Sequence, residues 1–234
     1  MMGVNRVKAG VSASAVVAVI ASRAALAAAT RLRRPPDLFE LRLDILRHSL
    51  NAVEGAIQKL RAPLILTARH PAEGGHGNLG AKARQALVER FLGHASFIDL
   101  ELGSLKPMRT LIRKARRQGV ALILSWHNLD GPLSGPVLRR KAKTAPAEGA
   151  AIFKVATRTE SSAELARLIS LFQETPMRLP IAAMGIGRFG RASRLQLAGL
   201  GSALTYVSLG QPNVPGQPSL SQLRRHSNAY KYIE

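Results

Sequence analysis

The chain has 234 residues, 46% of them apolar and 21% charged, the make-up of one large domain with a substantial core, which excludes a disordered chain. It holds no cysteine, so disulfides, a thiolate nucleophile and Cys-ligated zinc are ruled out, and its six histidines form no HxH or HxxxH pair, so no metal is expected. Lysine and arginine number 34 against 14 acidic residues, a net charge of +20; this favours an anionic partner such as nucleic acid, an acidic membrane surface, or a carboxylate or phosphate substrate.

The segment before Asp37 has no acidic residue, and its early basic residues precede an apolar run, as in export and transit signals. Against that reading, "AVVAVI" (15–20) has the length and β-branching of a strand, Arg23 interrupts the apolar run, and "AALAAATRL" (24–32) reads as a helix. The segment is therefore taken as part of the fold. No apolar run is long enough to span a membrane.

Seven further strand-like runs follow: "LFELRLDIL" (38–46), "PLILTAR" (63–69), "SFIDLEL" (96–102), "ALILSWH" (121–127), "AIFKVAT" (151–157), "PIAAMG" (180–185) and "ALTYVSL" (203–209). Helix candidates lie between them, among them "LNAVEGAIQKL" (50–60), "AKARQALVERFLGH" (81–94) and "SAELARLISLFQET" (162–175), the last with Ser161 or Ser162 as its cap. Within "RTLIRKARRQG" (109–119), Arg109, Arg113, Arg116 and Arg117 share one helical face opposite Leu111, Ile112 and Ala115, which reads as a solvated outer face. Few aromatics interleave with these charges, which weakens a single-stranded RNA platform.

Eight strands alternating with helices predict an α/β fold, a single (β/α)8 TIM barrel over 1–234 with the first ~10 residues outside its ordered body. The alternative is an open doubly wound sheet. It is disfavoured because "GIGRFG" (185–190) has dinucleotide-loop glycine spacing but follows the seventh strand, not the first.

Chemistry in such barrels gathers at the C-terminal ends of the strands. The polar residues there are Glu40, Arg42, Asp44, Arg69, Glu73, Asp99, Glu101, His127 and Lys154, followed by the arginines after Met184. Lys154 interrupts an otherwise apolar strand, a costly position unless it is paired, neutral or reactive. Enclosed by Arg42, Arg69 and apolar walls, and opposed by carboxylates such as Glu40, it is expected to give up its proton readily and attack a carbonyl. His127, on the preceding strand, is placed to take the proton next to the resulting iminium. Pairing of Lys154 with a buried carboxylate is the equal alternative on the strand alone.

These residues resemble the type I 3-dehydroquinate dehydratases of the shikimate pathway. The likeness rests on "ELRLDIL" (40–46), "TARHPAEGG" (67–75), "IDLEL" (98–102), "SWHNL" (125–129), "FKVAT" (153–157), "MGIGRFGRASRL" (184–195) and "NVPGQ" (213–217), in that order over nearly the whole chain. The resemblance implies a (β/α)8 barrel that removes water from 3-dehydroquinate to give 3-dehydroshikimate, with no metal or organic cofactor. By motif, Lys154 resembles the Schiff-base lysine, His127 the general acid/base, and Glu73 the carboxylate that orients this histidine and raises its imidazolium pKa. Arg194 resembles the arginine that clamps the substrate carboxylate, with Gln217 as its partner, and Glu40, Arg42 and Arg69 resemble the groups that grip ring hydroxyls. The "VPGQ" loop is implied to act as a lid.

Two positions depart from the family pattern. Asn213 stands where serine is usual, still able to donate to a carboxylate but with a different reach. Asn128 stands where aspartate is common beside the histidine, removing a negative charge close to His127. The resemblance also implies a cytoplasmic enzyme and, as is often so in the family, a homodimer, but not the +20 charge. The rival readings are another Schiff-base enzyme of class I aldolase type and a barrel-derived protein binding nucleic acid through its basic surface.

Overall fold

In the computed structural model, which describes residues 14–131, 133–174 and 179–230, the strands at 38–42, 64–67, 97–101, 121–128 and 152–158 begin apolar and end polar on their inward faces. Eight strands, β1 (Ala15–Ile20), β2 (Leu38–Arg42), β3 (Leu64–Thr67), β4 (Phe97–Glu101), β5 (Ala121–Asn128), β6 (Ile152–Arg158), β7 (Ile181–Ile186) and β8 (Leu204–Ser208), pair in parallel in the order 7-6-5-4-3-2-1-8. Eight helices separate and follow them: α1 (Arg23–Arg31), α2 (Leu50–Ile57), α3 (Ala81–Phe91), α4 (Arg109–Arg117), α5 (Gly135–Ala147), α6 (Ser162–Glu174), α7 (Gly190–Gly199) and α8 (Leu220–Tyr230). This is a nearly closed (β/α)8 barrel. The first 13 residues, which include the ~10 expected outside the ordered body, lie outside the described residues, while "AVVAVI" is β1, held between β2 and β8.

One boundary differs from the sequence reading. The second run was taken as a strand to residue 46, but β2 stops at Arg42 and Leu43–Leu46 forms a helical turn. Asp44 in that turn takes a two-pronged hydrogen bond from Arg42, at 3.0 and 2.8 Å, and a third from the His76 amide at 2.9 Å. It fastens the β2 and β3 loops together. Two serines start helices as their hydroxyls allow: Ser22 accepts from the Ala25 amide, and Ser161 accepts from the Glu164 amide while Glu164 accepts from Ser161 in return. Helix α4 buries Leu111, Ile112 and Ala115 and leaves Arg109, Arg113, Arg116 and Arg117 in water, as its periodicity required.

The barrel is not hydrogen-bonded all the way round. Between β7 and β8 the ladder is replaced by single contacts, one for each β7 group that faces β8. The Ile181 carbonyl accepts from the Ala203 amide at 2.7 Å, and the Ala183 amide donates to the Ser202 hydroxyl at 3.0 Å. Higher up, the Gly185 amide donates to the Ser193 hydroxyl at 2.8 Å, and its carbonyl accepts from the Arg194 guanidinium at 2.6 Å. Side chains of α7 and the turn after it thus complete the free edge, which a buried backbone demands. Among the described residues no helix is long and apolar enough to cross a membrane.

Candidate active site

Strand β6 explains its own lysine. Phe153 and Val155 point outward into the apolar layer shared with α5 and α6, while Ile152, Lys154 and Ala156 alternate onto the inner face. Lys154 is 4% exposed. Its Nζ donates to Asp99 Oδ2 at 2.8 Å, lies 3.6 Å from Glu40 Oε1, and sits 4.0 Å from the centre of the Tyr206 ring. The buried carboxylate that the sequence reading kept as its alternative is present: Asp99 touches the amine directly and is shared with Arg69, while Arg42 and Arg69 line the same cavity.

Asp99 begins a buried chain of alternating charge. Arg69 donates to Asp99 at 2.8 Å, to Glu101 at 3.1 Å and to the Ser125 hydroxyl at 2.6 Å, and Ser125 donates on to the other oxygen of Asp99. Glu101 also accepts from Arg84 of α3 at 2.9 Å and from Ser104 at 2.7 Å. Burial works against the Asp99 anion, but the Arg69 and Lys154 cations outweigh it and hold the carboxyl well below the usual carboxylate range. Charges this deep persist because each is paired.

His127 follows at the end of β5. Its Nδ1 lies 2.9 Å from Glu73 Oε2, and the same oxygen accepts its backbone amide at 2.9 Å. An ionised Glu73 therefore places the ring proton on Nδ1 and leaves the Nε2 lone pair free to act as a base. The rise expected of the imidazolium pKa from Glu73 does not prevail. Burial, reinforced by the Arg69 and Lys154 cations, drives His127 well below its ordinary value, so the ring is neutral. Glu73 itself, removed from water, is pushed up to about 7. Asn128 donates to the Gly131 carbonyl and the Thr157 hydroxyl and holds the start of the following loop.

Arg194 enters from the second turn of α7, 3% exposed. One guanidinium nitrogen serves the carbonyls of Gly185 and Gly190, its Nε is buried without a partner, and no carboxylate pairs with it among the described residues. Burial alone lowers its pKa to about 10. An unpaired, desolvated cation fixed by backbone carbonyls is a site for an anion. Beside it the 213–217 loop folds down. Gln217 Oε1 accepts from the Asn213 backbone amide at 2.9 Å and from its side-chain Nδ2 at 3.2 Å, and the Gly187 amide donates to the Pro215 carbonyl. Gly216 has φ +75°, and a Cβ there would fall 2.2 Å from the Gly187 carbonyl oxygen. Gly216→Ala is expected to lift this loop, read as lost hydrogen-exchange protection at the Gly187 amide; unchanged protection would show that the loop does not depend on the glycine.

One cavity of about 260 Å³ joins these groups. All nine sequence-derived site residues line it: Lys154, His127, Glu73, Glu40, Arg42, Arg69, Arg194, Asn213 and Gln217. Glu40 accepts from Thr67 at 2.8 Å through Oε1, and Arg42 is held by Asp44 at the rim. Sequence reasoning missed Tyr206 as a wall residue, hidden in an apolar run though in phase with inward Leu204, and Asp99 as the contact of the lysine, though it lies two residues before Glu101 on the same face. Val19, Ala156, Met184 and Ile186 give the cavity its apolar side. An amine, a base and an anion holder around one partly apolar cavity are fitted to covalent work on a carbonyl compound that carries a carboxylate.

Comparison with known proteins points the same way. The family model described as type I 3-dehydroquinase matches residues 15–233. The 3-dehydroquinate dehydratase of Pyrococcus abyssi is 32% identical over 80% of this chain and 85% of its own length, and that of Shouchella clausii 29% identical over 82% and 80%. Among solved structures, the enzyme of Geobacillus kaustophilus superposes with a TM-score of 0.83 at 25% identity, covering 94% of this chain and 91% of that one. The Enterococcus faecalis enzyme gives 0.80 at 25% identity, covering 94% and 95%.

Proposed function

The chain belongs to the type I 3-dehydroquinase family, and on that premise we propose that its cavity removes water from 3-dehydroquinate through an iminium on Lys154. The observation that carries this reading is the unpaired Arg194 guanidinium in the same cavity as Lys154 and the His127–Glu73 pair.

The geometry supports the following course. Arg194, with Asn213 and Gln217, takes the substrate carboxylate; its fork is held by backbone carbonyls and needs little reorganisation. Glu40, Arg42 and Arg69 face the ring hydroxyls. Lys154 gives up a proton, its free amine adds to the ketone carbon, and the adduct takes up a proton and loses water, leaving C=N⁺–H. That charge acidifies the neighbouring C–H. Neutral His127 removes this proton through Nε2, and the electron pair moves toward nitrogen as an enamine. The pair then returns to expel the hydroxyl, which leaves as water with the proton that His127 carries. Hydrolysis of the conjugated iminium frees product and lysine.

The test is direct. Purified protein mixed with 3-dehydroquinate should raise the ultraviolet absorbance of the conjugated enone, and borohydride quenching should leave a reduced adduct on the Lys154 peptide. Absence of both from folded protein would refute the proposal.

Two further expectations follow. Protonated Glu73 carries no charge to stabilise the imidazolium that forms on His127, so kcat/KM should fall as pH drops through about 7, the value to which burial raises this carboxyl. The sign is that of a required base: activity is present above that pH and lost below it. In Glu73→Gln the acid limb should vanish along with much of the rate, and a parent profile flat across that pH would refute the role of Glu73. Arg194→Ala should raise KM by roughly 30- to 100-fold, the worth of a charge-assisted bidentate contact, while saturating substrate still yields the Lys154 adduct. Since Arg194 also serves the Gly185 carbonyl, melting should be followed in parallel; an unchanged KM in folded protein would remove Arg194 from the clamp.

A further inference from the structure

We propose that Tyr206 acts on the covalent intermediate: its ring face carries the Lys154 nitrogen once that nitrogen is an iminium, and its hydroxyl, unpartnered among the described residues, is a donor held for that state. The inference rests on the Schiff-base reading above and goes beyond it.

Tyr206 stands on β8, 3% exposed, with its ring centre 4.0 Å from Lys154 Nζ. Its hydroxyl is buried and has no hydrogen-bond partner among the described residues. A buried hydroxyl without a partner is costly, and phenylalanine would fill the same space without that cost. The orphan hydroxyl therefore marks either a defect in the resting site or a donor held for another state.

Counting donors identifies that state. The ammonium has three N–H groups, of which one serves Asp99 and the nitrogen also faces Glu40 Oε1 at 3.6 Å. The iminium keeps the positive charge but only one N–H. Asp99 loses little by this, because Arg69 and Ser125 still bond to it. Glu40 Oε1 keeps Thr67 alone. Attraction to an aromatic face depends on the charge and not on the number of N–H groups, so it is missing at the uncharged nitrogen of the carbinolamine and appears as the iminium forms. Support that grows along the reaction is the kind that accelerates it. The phenol also remains a donor throughout, since burial and the carboxylates of Glu40 and Asp99 raise its pKa well above the ordinary value.

The experiment uses the full chain with tyrosine, phenylalanine or progressively fluorinated phenylalanines at position 206. These analogues keep nearly the same shape while draining the negative face of the ring. The readouts are kcat, the fraction of Lys154 trapped by borohydride during turnover with 3-dehydroquinate, and the melting temperature. Tyr206→Phe should lower kcat about 3- to 10-fold, and successive fluorines should lower both kcat and trapped adduct further, by about 30-fold in all, the scale of a desolvated cation–π contact. Phenylalanine equal to tyrosine overturns the role of the hydroxyl; fluorination without effect in proteins of unchanged melting temperature overturns that of the ring. A parent protein that yields no adduct overturns the reaction and this inference with it, whereas adduct formed equally by every variant overturns this inference alone.

Discussion

Lys154→Ala is expected to abolish dehydration of 3-dehydroquinate, with a fall in kcat of at least about 10⁴, equivalent to about 5.5 kcal/mol of barrier. Among the described residues no other amine lines the cavity: its remaining cations are guanidinium groups, which stay protonated and do not add to ketones. The fold should survive. Removing one partner of a buried ion pair is usually damaging because the other charge is stranded, but here Asp99 keeps Arg69 and Ser125, and Glu40 keeps Thr67. A melting curve would verify this, and the borohydride-reduced adduct should disappear with the activity. Turnover near the parent rate would end the covalent mechanism, whatever the family relationship.

His127→Ala separates formation of the intermediate from its consumption. The lysine and the anion clamp remain in place, so the adduct should form and accumulate, while proton removal slows by about 10²- to 10⁴-fold, the usual contribution of a positioned acid or base. Trapped adduct should therefore increase as product formation falls. The Glu73→Gln variant should lose less, because glutamine can still accept a bond from the ring but stabilises the imidazolium poorly once the proton has been taken. If His127→Ala instead abolished adduct and product together, the histidine would be needed for addition to the ketone and the division of labour drawn here would be wrong.

The barrel was legible because its strands repeat apolar runs at regular intervals, and the site because polar residues fall repeatedly at one end of those runs. Three features were not. The extent of β2 was overread, since "LDIL" is as apolar as a strand, and the turn is favoured by a local pair of Asp44 with Arg42 and by the distant His76 amide. The state of His127 was misjudged from one neighbour: Glu73 is adjacent in motif, but Arg69 and Lys154 arrive from other strands, and with burial they dominate. Tyr206 was passed over because an aromatic residue in a strand is ordinarily core. Its meaning depends on a lysine 52 positions earlier in the chain. In each case the missing information was which side chains converge in space, which no local spacing records.

The replacement of the β7–β8 ladder by Ser202, Ser193 and Arg194 gives one residue two loyalties. Arg194 is at once the last clasp of the cylinder and the proposed handle for the ligand's anionic end. A lineage drifting toward a substrate without a carboxylate could not simply discard this arginine, because the Gly185 carbonyl would be stranded at an open joint. Specificity here is braced by architecture, and loosening one means re-stitching the other.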